Sequence, residues 1–216
     1  MNKIFTIGHS TDSVDFFFSL LMNNGVDTVV DVRSVPYSRF ASQFNKDLLS
    51  VFLKNKNINY IPMGIQLGAR YEDKELLFAD GKVDFSKVVK TKLFQSGIMR
   101  IETGIEKGLK IALMCSEKNP LECHRFSLIS HYLHEKKYAI NHIVNESVFN
   151  HENLEEKLLD YYKENRKISL DINIIKNFHI IQSTLFDLNE INENEFYLEI
   201  NKLVAYNPVS TKEEIV

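Results

Sequence analysis

Five short apolar runs punctuate the first 145 residues: KIFTI (3–7), DTVVDV (27–32), INYIP (58–62), LKIALM (109–114) and YAINHI (138–143). Between them lie stretches of helical periodicity such as SVDFFFSLLMNN (13–24) and NKDLLSVFLKNKN (45–57). Strands that are apolar on both faces need cover on both faces, and amphipathic helices between them supply it. The pattern predicts an α/β fold: a three-layer, Rossmann-like domain over residues 1–145 with a mostly parallel five-stranded sheet. Gly25 stands where the first helix stops, and Asn45 where the second starts. A helix over 84–107 is expected to break at Gly97, whereas 64–83 has mixed charge and no clear period.

From about residue 146 the texture changes. ESVFNHENLEEKLLDYYKENRK reads as a charged amphipathic helix, residues 146–205 as a helical appendage packed on the core, and 206–216 as a flexible tail. With 216 residues, fifteen Phe and nine Tyr, the chain has core material for one domain plus an extension. A net charge of −3 supplies no overall positive field for nucleic acid, although a local basic patch would escape that argument. No apolar run approaches the roughly 20 residues of a membrane span, and the first residues lack a secretory apolar core. A cytoplasmic protein with no membrane partner is expected, in which both cysteines stay thiols.

The two cysteines fall in one stretch, ALMCSEKNPLECHRF (112–126). In a doubly wound sheet the loops after the strands share one edge, and ligands bind where the strand order reverses. With the order 3-2-1-4-5 that reversal lies between strands one and four. Gly8, His9 and Ser10 would then face Cys115, Ser116 and Glu117, with Asp31, Arg33 and Arg39 on the same rim. Asn119, Pro120 and Glu122 read as the cap, first position and capping-box acid of a helix over 120–135. Cys123, His124 and Arg125 would follow in its second turn, about 100° apart, too divergent for all three to enter one pocket.

Cys115, at a strand end facing a helix N-terminus and near arginines, is the expected thiolate nucleophile; a small buried thiol is the plain alternative. Asp31, Glu117 and His9 are candidate acid/base groups, and Asp31 could instead only brace its loop. Substrate contacts fall to Gly8, Ser10, Arg33, Arg39, Arg70, Ser116, Cys123, His124 and Arg125, the arginines suiting phosphate or carboxylate. Zinc fits less well, because seven residues separate the cysteines and His124 adjoins Cys123 on a helix. No metal and no cofactor is expected. His131, His134, His142, His151 and His179 read as surface or satisfied core residues.

TIGHS, VVDVRSVPYSRF, LGAR and ALMCSEKNPLECHR, in that order, resemble the bacterial domain of unknown function 488 family over about residues 3–143. Ala69 stands where a second glycine is common, and Ser116 where alanine is common. The resemblance implies the fold and the residue cluster, and leaves the reaction to be argued from the site. Separately, QSTLF (182–186) resembles the Gln-x-x-Leu-Phe peptide that docks on the bacterial DNA sliding clamp. Gln182 would hydrogen-bond while Leu185 and Phe186 fill an apolar pocket; alternatively these two only seal the appendage.

Three functional readings follow. The first is an enzyme acting on a nucleotide, nucleoside or nucleic-acid substrate with an anionic group, a hydrolase or transferase using Cys115 or an activated water. The second is a non-catalytic nucleotide- or DNA-associated module recruited through QSTLF. The third is a rhodanese-like or phosphatase-like thiol enzyme, although the ten positions from Cys115 to Arg125 exceed the short Cys-x5-Arg cradle.

Overall fold

The structure, a computed structural model, describes residues 3–178 and 193–208. Gln182, Leu185 and Phe186 of the clamp-like peptide lie outside the described residues, as do His179 and residues 209–216 of the expected tail.

Six strands form one sheet: β1 (Lys3–Gly8), β2 (Thr28–Asp31), β3 (Asn59–Pro62), β4 (Ile111–Cys115), β5 (Ala139–Val144) and β6 (Ser147–Asn150), in the order β3-β2-β4-β1-β5-β6. Only the β5/β6 pair is antiparallel. The fold is thus α/β with a mostly parallel sheet, but two details depart from expectation. Strand four does not lie outside strand one; it is inserted between β2 and β1. All five of its residues are buried, so it needs covered faces and paired edges, a demand that a central slot meets but that no local signal locates. The stretch 147–150 opens the C-terminal region as a strand rather than a helix. Asn145, at φ +53°, allows the tight turn that folds it back on β5.

Helices cover both faces. On one, α1 (Val14–Asn23) and α2 (Lys46–Asn55) bring Phe17, Leu20, Leu21, Leu49 and Leu53 against Ile7, Val29, Ala112 and Met114. On the other, α3 (Gly64–Leu67), α4 (Phe85–Val88) and α5 (Lys92–Glu106) cover Val30, Val32, Leu113 and Cys115. Neighbouring residues of β2 and β4 therefore enter opposite layers, the period of two that a pleated strand imposes. Asn45 precedes α2, but its side chain accepts from the Ser38 amide in the preceding loop instead of capping the helix. Gly97 does not interrupt α5. The break comes earlier, where Thr91 caps the helix, and Gly97 gives room to α3: a Cβ there would lie 2.7 Å from Leu67 Cδ2.

After β4 the chain makes a 3₁₀ turn at Pro120–Glu122, runs extended through Cys123, and enters a wide π-type turn at Arg125–Ser130 that continues as α6 (His131–Glu135). Leu121 and Phe126 of this segment form a third apolar cluster with Leu154 and Leu158 of α7 (His151–Asn165), Ile172 and Ile175 of α8 (Ile172–Asn177), and Phe196 and Ile200 of α9 (Glu193–Val204). Beyond α8 the chain is tied back to the core. Asn201 accepts from the Phe85 amide and donates to the Val83 carbonyl, and the Tyr206 carbonyl accepts from the Val83 amide. No helix among the described residues is long and apolar enough to cross a membrane.

Candidate active site

The sheet register sets the site. Gly8 pairs with Cys115, and Asp31 with Met114, so β1, β4 and β2 end side by side. The ladder runs on into the loops: the His9 amide donates to the Cys115 carbonyl (3.1 Å), Ser10 to Ser116 (2.8 Å) and Val32 to Met114 (3.0 Å). α1 leaves β1 toward one face while the segment after β4 covers the other, so the crevice opens at the reversal point between them. Close approach of the two loops explains Gly8, where any Cβ would fall 1.8 Å from the Glu117 carbonyl oxygen. Ser10 takes the left-handed conformation at φ +47° as the chain turns away.

Asp31, Arg33, His9 and Tyr60 form a buried network beside this edge. Arg33 grips Asp31 through Nε to Oδ1 (2.9 Å) and Nη2 to Oδ2 (2.5 Å), and also donates to the Phe44 carbonyl (2.9 Å) and to His9 Nε2 (2.9 Å). Tyr60 donates to the same carboxylate at 2.6 Å. An arginine only donates, so His9 Nε2 is the acceptor and Nδ1 carries the proton that it gives to the Ser10 carbonyl (2.7 Å). Burial, and then the Arg33 charge, lower the His9 pKa to about 4, and its ring is stacked on Phe44. His9 is therefore a neutral acceptor that orients Arg33. Of the five Arg33 N–H groups, one on Nη1 remains for a ligand.

The second cluster is sulfur-based. Cys115 Sγ lies 2.9 Å from Glu117 Oε2 and 3.9 Å from His124 Nδ1, and Cys123 Sγ lies 3.8 Å from the same nitrogen. The expectation that Cys123 and His124 must diverge is overturned, because Cys123 is not helical. Its backbone is extended (φ −130°, ψ 141°) where the 3₁₀ turn ends, which swings its sulfur back toward Cys115. The electrostatics also reverse the expected roles of the two thiols. Cys115 lies beside Cys123, is buried and neighbours Glu117, and all three push its pKa well up. Burial opposes ionisation of Cys123 too, but the neighbouring Cys115 thiol and the charges of Arg125 and His124 hold its pKa well down. The Arg125 amide adds a donor 3.5 Å from Cys123 Sγ. Burial works against a charged His124, yet the Cys123 sulfur outweighs it and raises its pKa. Glu117 is raised by burial and by Cys123.

A cleft of about 240 Å³ gathers Arg33, Arg70, Cys115, Ser116, Glu117, Cys123 and His124. The other expected residues are placed around it. Asp31, His9, Gly8 and Ser10 do not line it, while Arg125 is fully buried and holds the Glu117 and Lys118 carbonyls (2.6 and 2.9 Å). Arg39 is exposed and does not line the cleft. Sequence reasoning missed Tyr60, the second residue of strand three, whose hydroxyl reaches Asp31 of the neighbouring strand. It also missed Glu122, read as a cap, and Val204 and Tyr206, which close one side of the cleft. Arg70 lies over the Tyr206 ring, 5.0 Å from its centroid. The ligating atoms of Cys115, Cys123 and His124 lie within 4.8 Å of one another, a donor set that suits a soft divalent ion and that the sequence spacing had argued against.

No curated protein and no solved structure matches the chain significantly. The family model described as "Domain of unknown function DUF488" matches residues 13–133, more than half the chain, including β2, β4 and the segment after β4 but not the loop after β1, and the protein belongs to that family.

Proposed function

We propose that the crevice is a thiol-dependent active site for a small anionic substrate, with phosphate-bearing compounds such as nucleotides the first class to test. One observation carries this reading: the Cys123 sulfur lies 3.8 Å from the His124 imidazole nitrogen and 3.5 Å from the Arg125 amide, surroundings that lower its pKa, in a cleft that two arginines line. Cys123 is the nucleophile and His124 its charge partner. Glu117 holds its proton above the ordinary carboxylic range, which suits it to protonate a leaving group, whereas Cys115, pushed well up, stays a neutral thiol. Arg70 at the rim and the remaining Arg33 N–H are the contacts for the anion. Asp31, Tyr60 and His9 act through Arg33 by fixing its plane, and Arg125 acts by fixing the loop that carries Glu117.

The mutual approach of Cys115, Cys123 and His124 favours a second reading, in which they hold a soft metal ion and the thiols are ligands. One experiment separates the two. Wild-type protein is screened for thermal stabilisation by inorganic phosphate, nucleosides and nucleotides, and the best compound is tested for protection of Cys123 against iodoacetamide. The thiol reading expects stabilisation that disappears in Arg70→Ala, together with protection of Cys123. It is abandoned if no anion stabilises the protein or if Cys123 alkylates at the same rate with the anion bound.

A further inference from the structure

A second cluster of ligating side chains lies outside the crevice, where α6, α7 and β5 meet. Glu155 of α7 is its centre. His131 Nδ1 lies 3.2 Å from Glu155 Oε1, His151 Nε2 lies 3.6 Å from the same oxygen, and His134 Nε2 lies 3.7 Å from Oε2. The spacing is that of two helical pairs facing each other: His131 and His134 three apart on α6, His151 and Glu155 four apart on α7, each pair on one helix face. We propose that His131, His151 and Glu155, with His134 beside them, bind a divalent first-row transition-metal ion such as zinc.

Four independent features support the site. His151 is 1% exposed, and its Nε2 makes no hydrogen bond among the described residues although it points toward the Glu155 carboxylate. At 3.6 Å the two atoms are too far apart to share a proton well, but donors around a zinc ion sit about 3.3–3.5 Å from one another, given bonds of about 2.0–2.2 Å. The three donor atoms of His131, His151 and Glu155 all fall within 4.8 Å of one another, so a small closing motion completes the set. The ring of His131 is stacked on Tyr197 of α9 with centroids 3.6 Å apart, which restricts its orientation. Finally, the other nitrogen of His151 is committed: Nδ1 lies 3.0 Å from His142 Nε2, and His142 Nδ1 lies 2.7 Å from Thr6 Oγ1. When Thr6 accepts, each imidazole donates from Nδ1 to the next group and Nε2 of His151 keeps its lone pair for the ion; when the Thr6 hydroxyl donates, the chain reverses and the ion replaces the proton that Nε2 holds toward Glu155. This is the hydrogen-bonded support that fixes the tautomer of metal-binding histidines.

His131, His134 and Glu155 are partly exposed, so solvent or a small ligand reaches the fourth position. Nitrogen and carboxylate donors without sulfur select ions of the zinc, cobalt and nickel type over the softer ions that thiolates prefer. The ion would clasp α7 to α6.

The test uses full-length protein carrying Cys115→Ser and Cys123→Ser, so that crevice thiols take up no metal. After removal of metal by a chelator, zinc is titrated in competition with a chromophoric chelator, and cobalt is followed by visible absorption. The proposal expects one equivalent of zinc, a d–d spectrum without thiolate charge transfer, and loss of at least about 100-fold in affinity in Glu155→Gln, since removal of a ligand should exceed the 10–100-fold typical of a supporting partner. Thr6→Val should cost about tenfold through the histidine chain. If the double serine variant does not fold, the wild-type cobalt spectrum decides by the presence of a thiolate-free first equivalent. The proposal is overturned if the thiol-free protein takes up no zinc, if the first wild-type cobalt equivalent is thiolate-bound, or if affinity is unchanged in both Glu155→Gln and the partly exposed His131→Gln. A thiolate-bound first equivalent would in addition favour the metal reading of the crevice, whereas the other outcomes leave the crevice untouched.

Discussion

The sulfur crevice and the histidine cluster are built by opposite means. The crevice takes its groups from loops at the ends of three adjacent strands, so sheet register brings Cys115, Gly8 and Asp31 to one edge whatever the loops do next. The cluster takes its groups from the sides of two helices, and depends on how α7 docks beside α6 and β5. A site on a sheet edge is inherited from the fold, whereas a site between helix faces exists only if packing puts the faces together.

The largest effect that distinguishes them is expected at Arg125. Its guanidinium is fully buried and holds two carbonyls of the Glu117 loop, so Arg125→Ala leaves a cavity and two acceptors unpaired. A loss of roughly 3–5 kcal/mol in a urea titration is expected. If the two regions are independent, the surviving fold should keep the zinc affinity of the thiol-free protein while anion stabilisation disappears with the Glu117 loop. Loss of both would mean that the two regions are one cooperative unit.

Acid sharpens the comparison next. The folded pKa of His9 is about 4 against an ordinary 6.5, so the unfolded chain takes up a proton first as pH falls. The stability due to neutral His9 is complete above about pH 6.5 and is lost between there and pH 4, by roughly 2–3 kcal/mol. His142 and His151, also lowered by burial, lose stability on the same side of neutrality. His9→Gln should therefore flatten, without abolishing, the fall in stability measured by denaturant titrations across that range; an unchanged slope would remove His9 as a buried neutral group. Glu155, lowered to about 2 against an ordinary 4.5, supplies stability above 4.5 that is lost as pH falls toward 2. Its contribution thus separates from that of His9 by pH.

The smallest effect is expected at Tyr60. Tyr60→Phe removes one hydrogen bond to Asp31 and should cost about 1–2 kcal/mol, with anion stabilisation weakened rather than lost because Arg33 keeps both bonds to Asp31. A Tyr60→Phe protein with no residual anion response would make Tyr60 a ligand contact.

The same contrast explains what could be read in the sequence. Apolar runs and the loops after them identify strand ends, so residues 8–10, 31–33 and 115–117 could be brought to one rim without coordinates. Strand order is not locally encoded: β4 has a paired neighbour on each edge in either order, so its apolar run does not distinguish the slot between β1 and β2 from the one beyond β1. Cys123 was misread because Asn119 and Pro120 look like the start of a continuous helix; the turn they start is only Pro120–Glu122, and the extended residue after it aims the sulfur. The histidines of α6 and α7 carry helical spacing in plain view, but each pair looks like surface until the partner helix is placed against it. Tyr206 reaches the cleft from the far end of the chain, and no pattern around it predicts that return.

The ionisation of Cys123 beside a protonated Cys115 is the claim on which the functional reading depends, and the pH profile of iodoacetamide modification in Cys115→Ser and Cys123→Ser tests it most directly. Cys115→Ser, which keeps Cys123, should react at pH 6 at least about tenfold faster than Cys123→Ser, with a midpoint well below the ordinary thiol value near 8.5. Two profiles that coincide near 8.5, or a faster Cys123→Ser protein, would contradict the account.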